Sequence, residues 1–291
     1  MGGGGAHASL PDTMASRRKL PFQAIFGQVA RAGRRRVRDQ IMMRPRGFGA
    51  VREDVARMYV RGNGIEIGAL NSPLRVPPSV EVRYVDYLPI HTLRRHHAHL
   101  VADGQTLVVP DVIDDGELLE SFADESVDFV IASHFIEHCE DPIGALAAHL
   151  RVVRRGGILL QVLPDKRFSF DVARPITSLD HLIRDHDDGP KRSRQEHYRE
   201  WAEHVDKVAQ QDIERHAADL AARRFSIHFH VWTPSAYLHL LLHCQAIGLP
   251  FDIDFFRQNN KIEFITVLRK TNAPVTTDHT QLPADPGTSV P

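Results

Sequence analysis

The sequence predicts an α/β protein: a mostly parallel, seven-stranded sheet with helices on its faces, its last strand antiparallel and a helical cap inserted. Three observations predict it. Short apolar runs bounded by Gly, Pro or Asp alternate with longer helical patterns up to Pro164, the signature of stacked βα units. A long charged stretch at 165–226 then breaks that rhythm. Finally, two apolar runs are separated only by a turn at Asn259-Asn260, too short for a crossover, so they must pair as an antiparallel hairpin.

The strands are predicted at Gly64–Ile67, Val82–Val85, Leu107–Val109, Val127–Ala132 and Gly157–Leu163, each apolar enough to be buried on both faces. The hairpin strands follow at Phe251–Phe256 and Ile262–Leu268. Helices are predicted over about Gly49–Val60, Thr92–Val101, Leu118–Phe122 and Ile143–Val153, the last stopped by Gly156-Gly157. Within the cap, Tyr198, Trp201, Val205 and Val208 recur at helical spacing, and a further helix covers about Thr233–Ile247.

The ends read differently. Residues 1–47 form an Arg-rich arm with a glycine run and too little apolar surface to fold alone, apart from a short helix around Phe22–Met43. Thirteen Lys or Arg lie between Arg17 and Arg61 against only Asp39, Glu53 and Asp54, so the entry to the domain is locally positive. Residues 271–291 read as a disordered C-terminal tail. The working domain is therefore 48–270, with 165–226 as the cap.

Composition excludes several classes. A net charge of -1 does not suit a surface wholly given to nucleic acid, although the basic arm keeps nucleic acid or an anionic surface as an alternative partner. No apolar run reaches the roughly 18 residues of a membrane span, and Met1–Leu20 lacks the apolar centre of a secretory signal. With only two cysteines, Cys139 and Cys244, both in apolar helical stretches, the expectation is a cytoplasmic protein with reduced core thiols.

In an open parallel sheet the ligand lies beyond the carboxyl ends of the strands, so the informative residues follow each strand. The first strand runs into Glu66, Gly68 and Ala69; Gly68 allows a ligand close to the backbone, and Glu66 can hold an ammonium group directly or through water. Asp86 stands twenty residues after Glu66, the spacing at which a carboxylate accepts bonds from both ribose hydroxyls. Asp111 and Val112 are suited to an adenine ring, by a carboxylate on its polar edge and an apolar side chain on its face. The fourth strand ends at Ser133 and His134, with Phe135, Glu137 and His138 opening the next turn.

The runs Gly64-Ile65-Glu66-Ile67-Gly68-Ala69-Leu70-Asn71-Ser72-Pro73-Leu74, Asp128-Phe129-Val130-Ile131-Ala132-Ser133-His134-Phe135-Ile136-Glu137-His138 and Pro164-Asp165-Lys166-Arg167-Phe168 resemble class I methyltransferases of the methyltransferase-11 type. They resemble more narrowly a bacterial subgroup often encoded near glycosyltransferases. The resemblance spans about residues 50–270 and includes Ser226-Ile227-His228-Phe229-His230-Val231-Trp232-Thr233. It implies a Rossmann-like seven-stranded sheet, S-adenosyl-L-methionine as cofactor, and contacts to it from Glu66, Gly68, Asp86, Asp111 and Ser133. The chain departs from the family in one place: after Gly68 come Ala69, Leu70 and Asn71, where the family loop carries further glycines.

Methyl transfer from a sulfonium is an in-line displacement that needs positioning first, and a base only for a poor nucleophile such as a hydroxyl. His134 and Asp165, at strand ends, are candidates to frame the transfer, with His230 as a third. His228 and His230 alternate with Phe229 and Val231 and would share one face of an extended backbone. No cysteine or carboxylate at ligand spacing accompanies them, so no metal is assigned. The expected activity is methyl transfer to a small molecule or glycan, most simply to oxygen. The alternatives are a non-catalytic module that kept the fold, and a nucleic-acid methyltransferase guided by the basic arm.

Overall fold

The computed structural model describes residues 48–272. The arm 1–47, its helix around Phe22–Met43 and most of the predicted C-terminal tail lie outside them.

Helix α1 (Phe48–Tyr59) leads into β1 (Asn63–Ile67), and β2 (Glu81–Asp86) follows. Two short helices, α2 (Ile90–His96) and α3 (Ala98–Ala102), precede a two-residue strand β3 (Val112–Ile113) and then β4 (Val127–Ser133). Helix α4 (Pro142–Val152) passes directly into β5 (Val153–Pro164). The cap holds α5 (Leu179–Asp187), α6 (Arg194–His204) and α7 (Ile213–Ala222). Helix α8 (Pro234–Ala246) and the hairpin β6 (Phe251–Asn259) and β7 (Glu263–Lys270) complete the domain.

The seven strands lie in the order β3-β2-β1-β4-β5-β7-β6. β1 is parallel to β2 and β4, and β4 to β5, while β7 runs antiparallel to both β5 and β6. The predicted hairpin is therefore present, its strands joined by the three residues Asn260, Lys261 and Ile262, the first two at positive φ. Strand order reverses between β1 and β4, which opens a crevice at their carboxyl ends.

Alternation divides the side chains of each strand between two cores. Ile65, Ile67, Val130, Ala132, Leu159 and Leu163 pack on one face with residues of α4 and α8. Phe129, Ile131, Ile158, Leu160, Ile265 and Val267 pack on the other, against Val55 and Ala56 of α1. Cys139 and Cys244 are both buried in the first core. The cap carries its own small core, in which Tyr198 and Trp201 of α6 meet Ala217 and Leu220 of α7. Among the described residues, no helix is long and apolar enough to cross a membrane.

Three sequence expectations change. Leu107–Val109 is not a strand; Val112–Ile113 takes that place by pairing with Val85 and Asp86. Leu118–Phe122 is a run of turns, not a helix, held by Ser121 N–H donating to Asp114 and by Arg151 donating to the Leu118 and Leu119 carbonyls. Helix α6 ends at His204, before Val208, because the chain turns through Lys207 at φ +54°.

Candidate active site

Beyond the carboxyl ends of β1, β2 and β4 lies a cleft of about 490 Å³, walled on one side by the sheet and on the other by the cap. From the sheet side come Ile67, Gly68, Asp86, Tyr87, Asp115 and Phe135. From the cap come Lys191, Arg194, Tyr198, Arg224, Ser226 and Phe229.

Gly68 turns the chain at φ +65°, its N–H donating to the Val85 carbonyl, and so brings backbone to the cleft surface. Ala69 follows in the same loop. Where the family loop would continue with glycine, Leu70 adopts φ +47°. Its side chain is buried with Leu93 and Leu107, so packing stabilises a conformation that a bulky residue otherwise avoids. The loop thus takes its turn with a leucine anchored in a core. Leu70→Gly is expected to destabilise the protein by about 2 kcal/mol, because relief of about 1 kcal/mol of strain falls short of the roughly 2–5 kcal/mol lost with a buried leucine side chain. Urea unfolding of the variant measures the balance.

Glu66 occupies a different position from Gly68. Alternation along β1 sends its side chain to the α1 face, where both carboxylate oxygens accept from the Leu74 N–H at 2.9 and 3.1 Å. Burial pushes its pKa up to about 7, partly opposed by the Leu74 amide and by Arg52. Glu66 thus fastens the far end of the loop and does not line the cleft.

Asp86 does line the cleft. It is 9% exposed, and burial pushes its carboxyl up to about 6 against the pull of the Leu88 and Tyr87 amides. Asp111 is exposed on the β2 edge, its carboxylate accepting from Tyr84 N–H at 2.8 Å. Because β3 forms at 112–113, the acids that follow it are Asp114 and Asp115, and Asp115 faces the cleft. Val112 lies within β3, half-buried against the core. Ser133 ends β4 with its hydroxyl buried and without a hydrogen-bond partner.

The three candidates for framing the transfer are dispersed. His134, at φ +51°, turns toward α1 and β7, its Nε2 2.9 Å from Arg52 and 3.2 Å from Glu263. Burial alone would lower its pKa, but Glu137 and Glu263 hold it above the usual value. Asp165 is fully buried and accepts from the Arg167 backbone and guanidinium and from Gln258. His230 is fully buried in the cap beside Asp185. None of the three lines the cleft.

A histidine that sequence reasoning placed only at the start of a turn does line it. His138 ends a short 3-10 turn after β4, with its Nδ1 2.8 Å from the Ile227 carbonyl and 3.3 Å from Ser226 Oγ. Beside it His228 packs edge-on, its Nδ1 2.7 Å from Asp171, which Arg174 also holds. Burial, then repulsion from His228, keeps the His138 pKa well below the ordinary histidine value, so its ring is neutral. The one advance signal was its position four residues beyond His134.

Residues 85–161 match the family model of a methyltransferase domain. The order of the seven strands, with the single antiparallel β7, is that of the Rossmann-like class I methyltransferase fold. No curated protein matches the chain. Among solved structures, the chain is similar to a protein from Pyrococcus horikoshii at 17% identity, covering 72% of this chain and 82% of that one with a TM-score of 0.41. A SAM-dependent methyltransferase from Aquifex aeolicus is similar at 10% identity over 72% and 82%, with a TM-score of 0.38. Another, from Methanosarcina mazei, is similar at 18% identity over 72% and 92%, with a TM-score of 0.36.

The methyltransferase-domain match over 85–161 indicates S-adenosylmethionine as cofactor, and the cleft suits it. A Cβ on Gly116 would come within 2.5 Å of Ile67 Cγ2 and 2.8 Å of Phe135, so only glycine lets the loop after β3 close on these apolar walls. The sheet side supplies the carboxylates of Asp86 and Asp115 for a cationic ligand rich in hydroxyls and amines. When bound, the cofactor supplies an electrophilic methyl group on a sulfonium.

Proposed function

We propose that this methyltransferase methylates a hydroxyl group of a small polar acceptor, a sugar or related molecule, and that Gly68, Asp86, Tyr87 and Asp115 hold the cofactor. The observation that carries the hydroxyl reading is the state of His138. Its Nδ1 faces a backbone carbonyl, which accepts a hydrogen bond and cannot donate one, so the ring proton belongs on Nδ1 and the lone pair on Nε2. A neutral imidazole in the cleft wall is the group that a hydroxyl nucleophile needs as a base.

The acceptor side supports a polar molecule. Arg194 holds Glu140 with two hydrogen bonds of 2.8 and 2.5 Å, and both residues line the cleft. Such a paired guanidinium and carboxylate offers donors and acceptors side by side, as recognition of vicinal hydroxyls requires. Phe225 and Phe229 add apolar surface, and Lys191 and Arg224 add positive charge. His134, Asp165 and His230 then serve the surroundings of the site, since none of the three lines the cleft.

The test is a transfer assay with labelled S-adenosylmethionine against a panel of sugars, sugar nucleotides, phenols and amines, with the product typed by NMR. A methoxy product, and loss of on the order of 10²–10⁴ in rate with His138→Ala, is the expected result. Methylation of nitrogen or carbon, or an unchanged rate in His138→Ala, overturns it.

A further inference from the structure

Behind the cap wall four side chains converge that the transfer reaction does not use. His181 and Asp185 lie one turn apart on α5, His197 comes from α6, and His230 from the segment before α8. Each offers one ligand atom, and all four atoms lie within 4.8 Å of one another. The Nε2 atoms of His181 and His197 are 3.1 Å apart. Oδ2 of Asp185 is 3.1 Å from His181, 3.4 Å from His197 and 3.7 Å from His230.

These four spacings, 3.1 to 3.7 Å, are close to the edges of a tetrahedron. A zinc ion about 2.0–2.1 Å from each ligand sets neighbouring ligand atoms about 3.3 Å apart. Hydrogen bonding alone serves the group poorly: protons on both Nε2 atoms of His181 and His197 would abut at 3.1 Å, and three imidazoles compete for a single carboxylate oxygen. The other oxygen of Asp185 is already engaged, accepting from Ser193 Oγ at 2.6 Å, the kind of outer bond that orients a metal ligand.

We propose that His181, Asp185, His197 and His230 form a binding site for a divalent transition metal, zinc in the first instance. Three imidazoles and one carboxylate are a zinc ligand set, and with four protein ligands the site is closed and structural. His230 and Asp185 are buried, as is His197, so the ion would be shielded from solvent. His230 Nε2 also stands 3.2 Å from the Glu140 carbonyl, so a proton there has to move to Nδ1, which has no hydrogen-bond partner, when Nε2 takes the metal. The ion would tie α5 and α6 to the segment that carries Phe229, and the connection between those helices, 188–191, lines the cleft. Its role is to fix the cap wall against which the acceptor binds. The inference does not depend on which atom is methylated.

The experiment uses the full chain, stripped with a chelator, reloaded with zinc and desalted. One equivalent of zinc per chain is expected, with a melting midpoint higher by roughly 5 °C or more than the stripped protein. His181→Gln, altering the most exposed ligand, and Asp185→Asn should each lose the zinc and the gain while keeping the far-ultraviolet spectrum of a folded chain. His138→Gln, in the neighbouring group with Glu137 and His228, should retain both. If the ligand variants do not fold, cobalt reloading of the unmodified chain decides, since four-coordinate nitrogen and oxygen ligation gives intense visible bands and a hydrated ion does not. Less than a tenth of an equivalent of zinc, zinc retained in both ligand variants, loss through His138→Gln alone, or cobalt bands of a hydrated ion overturns the proposal.

Discussion

Glu263→Ala is expected to lower stability by about 3–5 kcal/mol, a fall of roughly 10 °C in melting midpoint. Glu263, at the start of β7, is 1% exposed and joins three elements. Arg52 of α1 donates to both of its oxygens, the Nε bond being 2.7 Å; Asn259 donates at 2.7 Å; and His134 lies 3.2 Å away. Burial by itself would raise the carboxyl pKa, but Arg52 and His134 hold it at about 2. Removal takes the carboxylate away from a largely buried guanidinium, which is the costly way to break a buried ion pair. The sign with pH follows. A carboxyl whose folded pKa lies below its unfolded value near 4.5 stabilises the fold above that value and ceases to do so as pH falls toward 2. Unfolding measured from pH 7 to pH 3 should show this decline in the parent protein and much less of it in Glu263→Ala.

Asp86→Asn should separate binding from stability in the opposite sense. Two charge-assisted hydrogen bonds to a ribose are worth about 1.5–3 kcal/mol each against about 0.5–1.5 for neutral ones, so affinity for S-adenosylhomocysteine should fall on the order of 100-fold. The protein without ligand should become more stable near pH 8. Burial raises the Asp86 pKa from 3.8 to about 6, so the folded state is penalised increasingly as pH rises through that interval, by about 1–3 kcal/mol once both states are ionised. Asparagine does not carry that penalty. Thermal melts with and without ligand test both halves: the parent midpoint should rise by roughly 5–10 °C at a hundred times the dissociation constant. The variant should start higher and gain little at the same ligand concentration. An unchanged affinity would move the ribose contact away from Asp86.

How far the sequence reached can be judged element by element. Strands β1, β4 and β5 were legible because a buried strand has to be an apolar run, and the β6–β7 hairpin because Asn259-Asn260 left no room for a crossover. Gly68 and Asp86 were legible for a related reason: a residue just past a parallel strand is carried to the carboxyl edge by the strand itself. Strand β3 failed as a prediction because two residues carry no periodicity, and only pairing with Val85 and Asp86 defines them. That shift moved the cleft-facing acid from Asp111 to Asp115. Glu66 was misplaced although alternation with Ile65 and Ile67 already assigns it to the opposite face.

By itself the sequence determined the α/β class and the antiparallel end of the sheet, and it set Gly68 and Asp86 just past or at the ends of their strands. Only the tertiary structure decided that Leu70 could stand where a glycine was expected, that His138 and not His134 lines the cleft, and that His181, Asp185, His197 and His230 meet. The division has one physical cause. Strand runs, turns and strand ends are set by neighbours along the chain, whereas the environment of a side chain is set by whatever packing brings against it from residues far away in sequence.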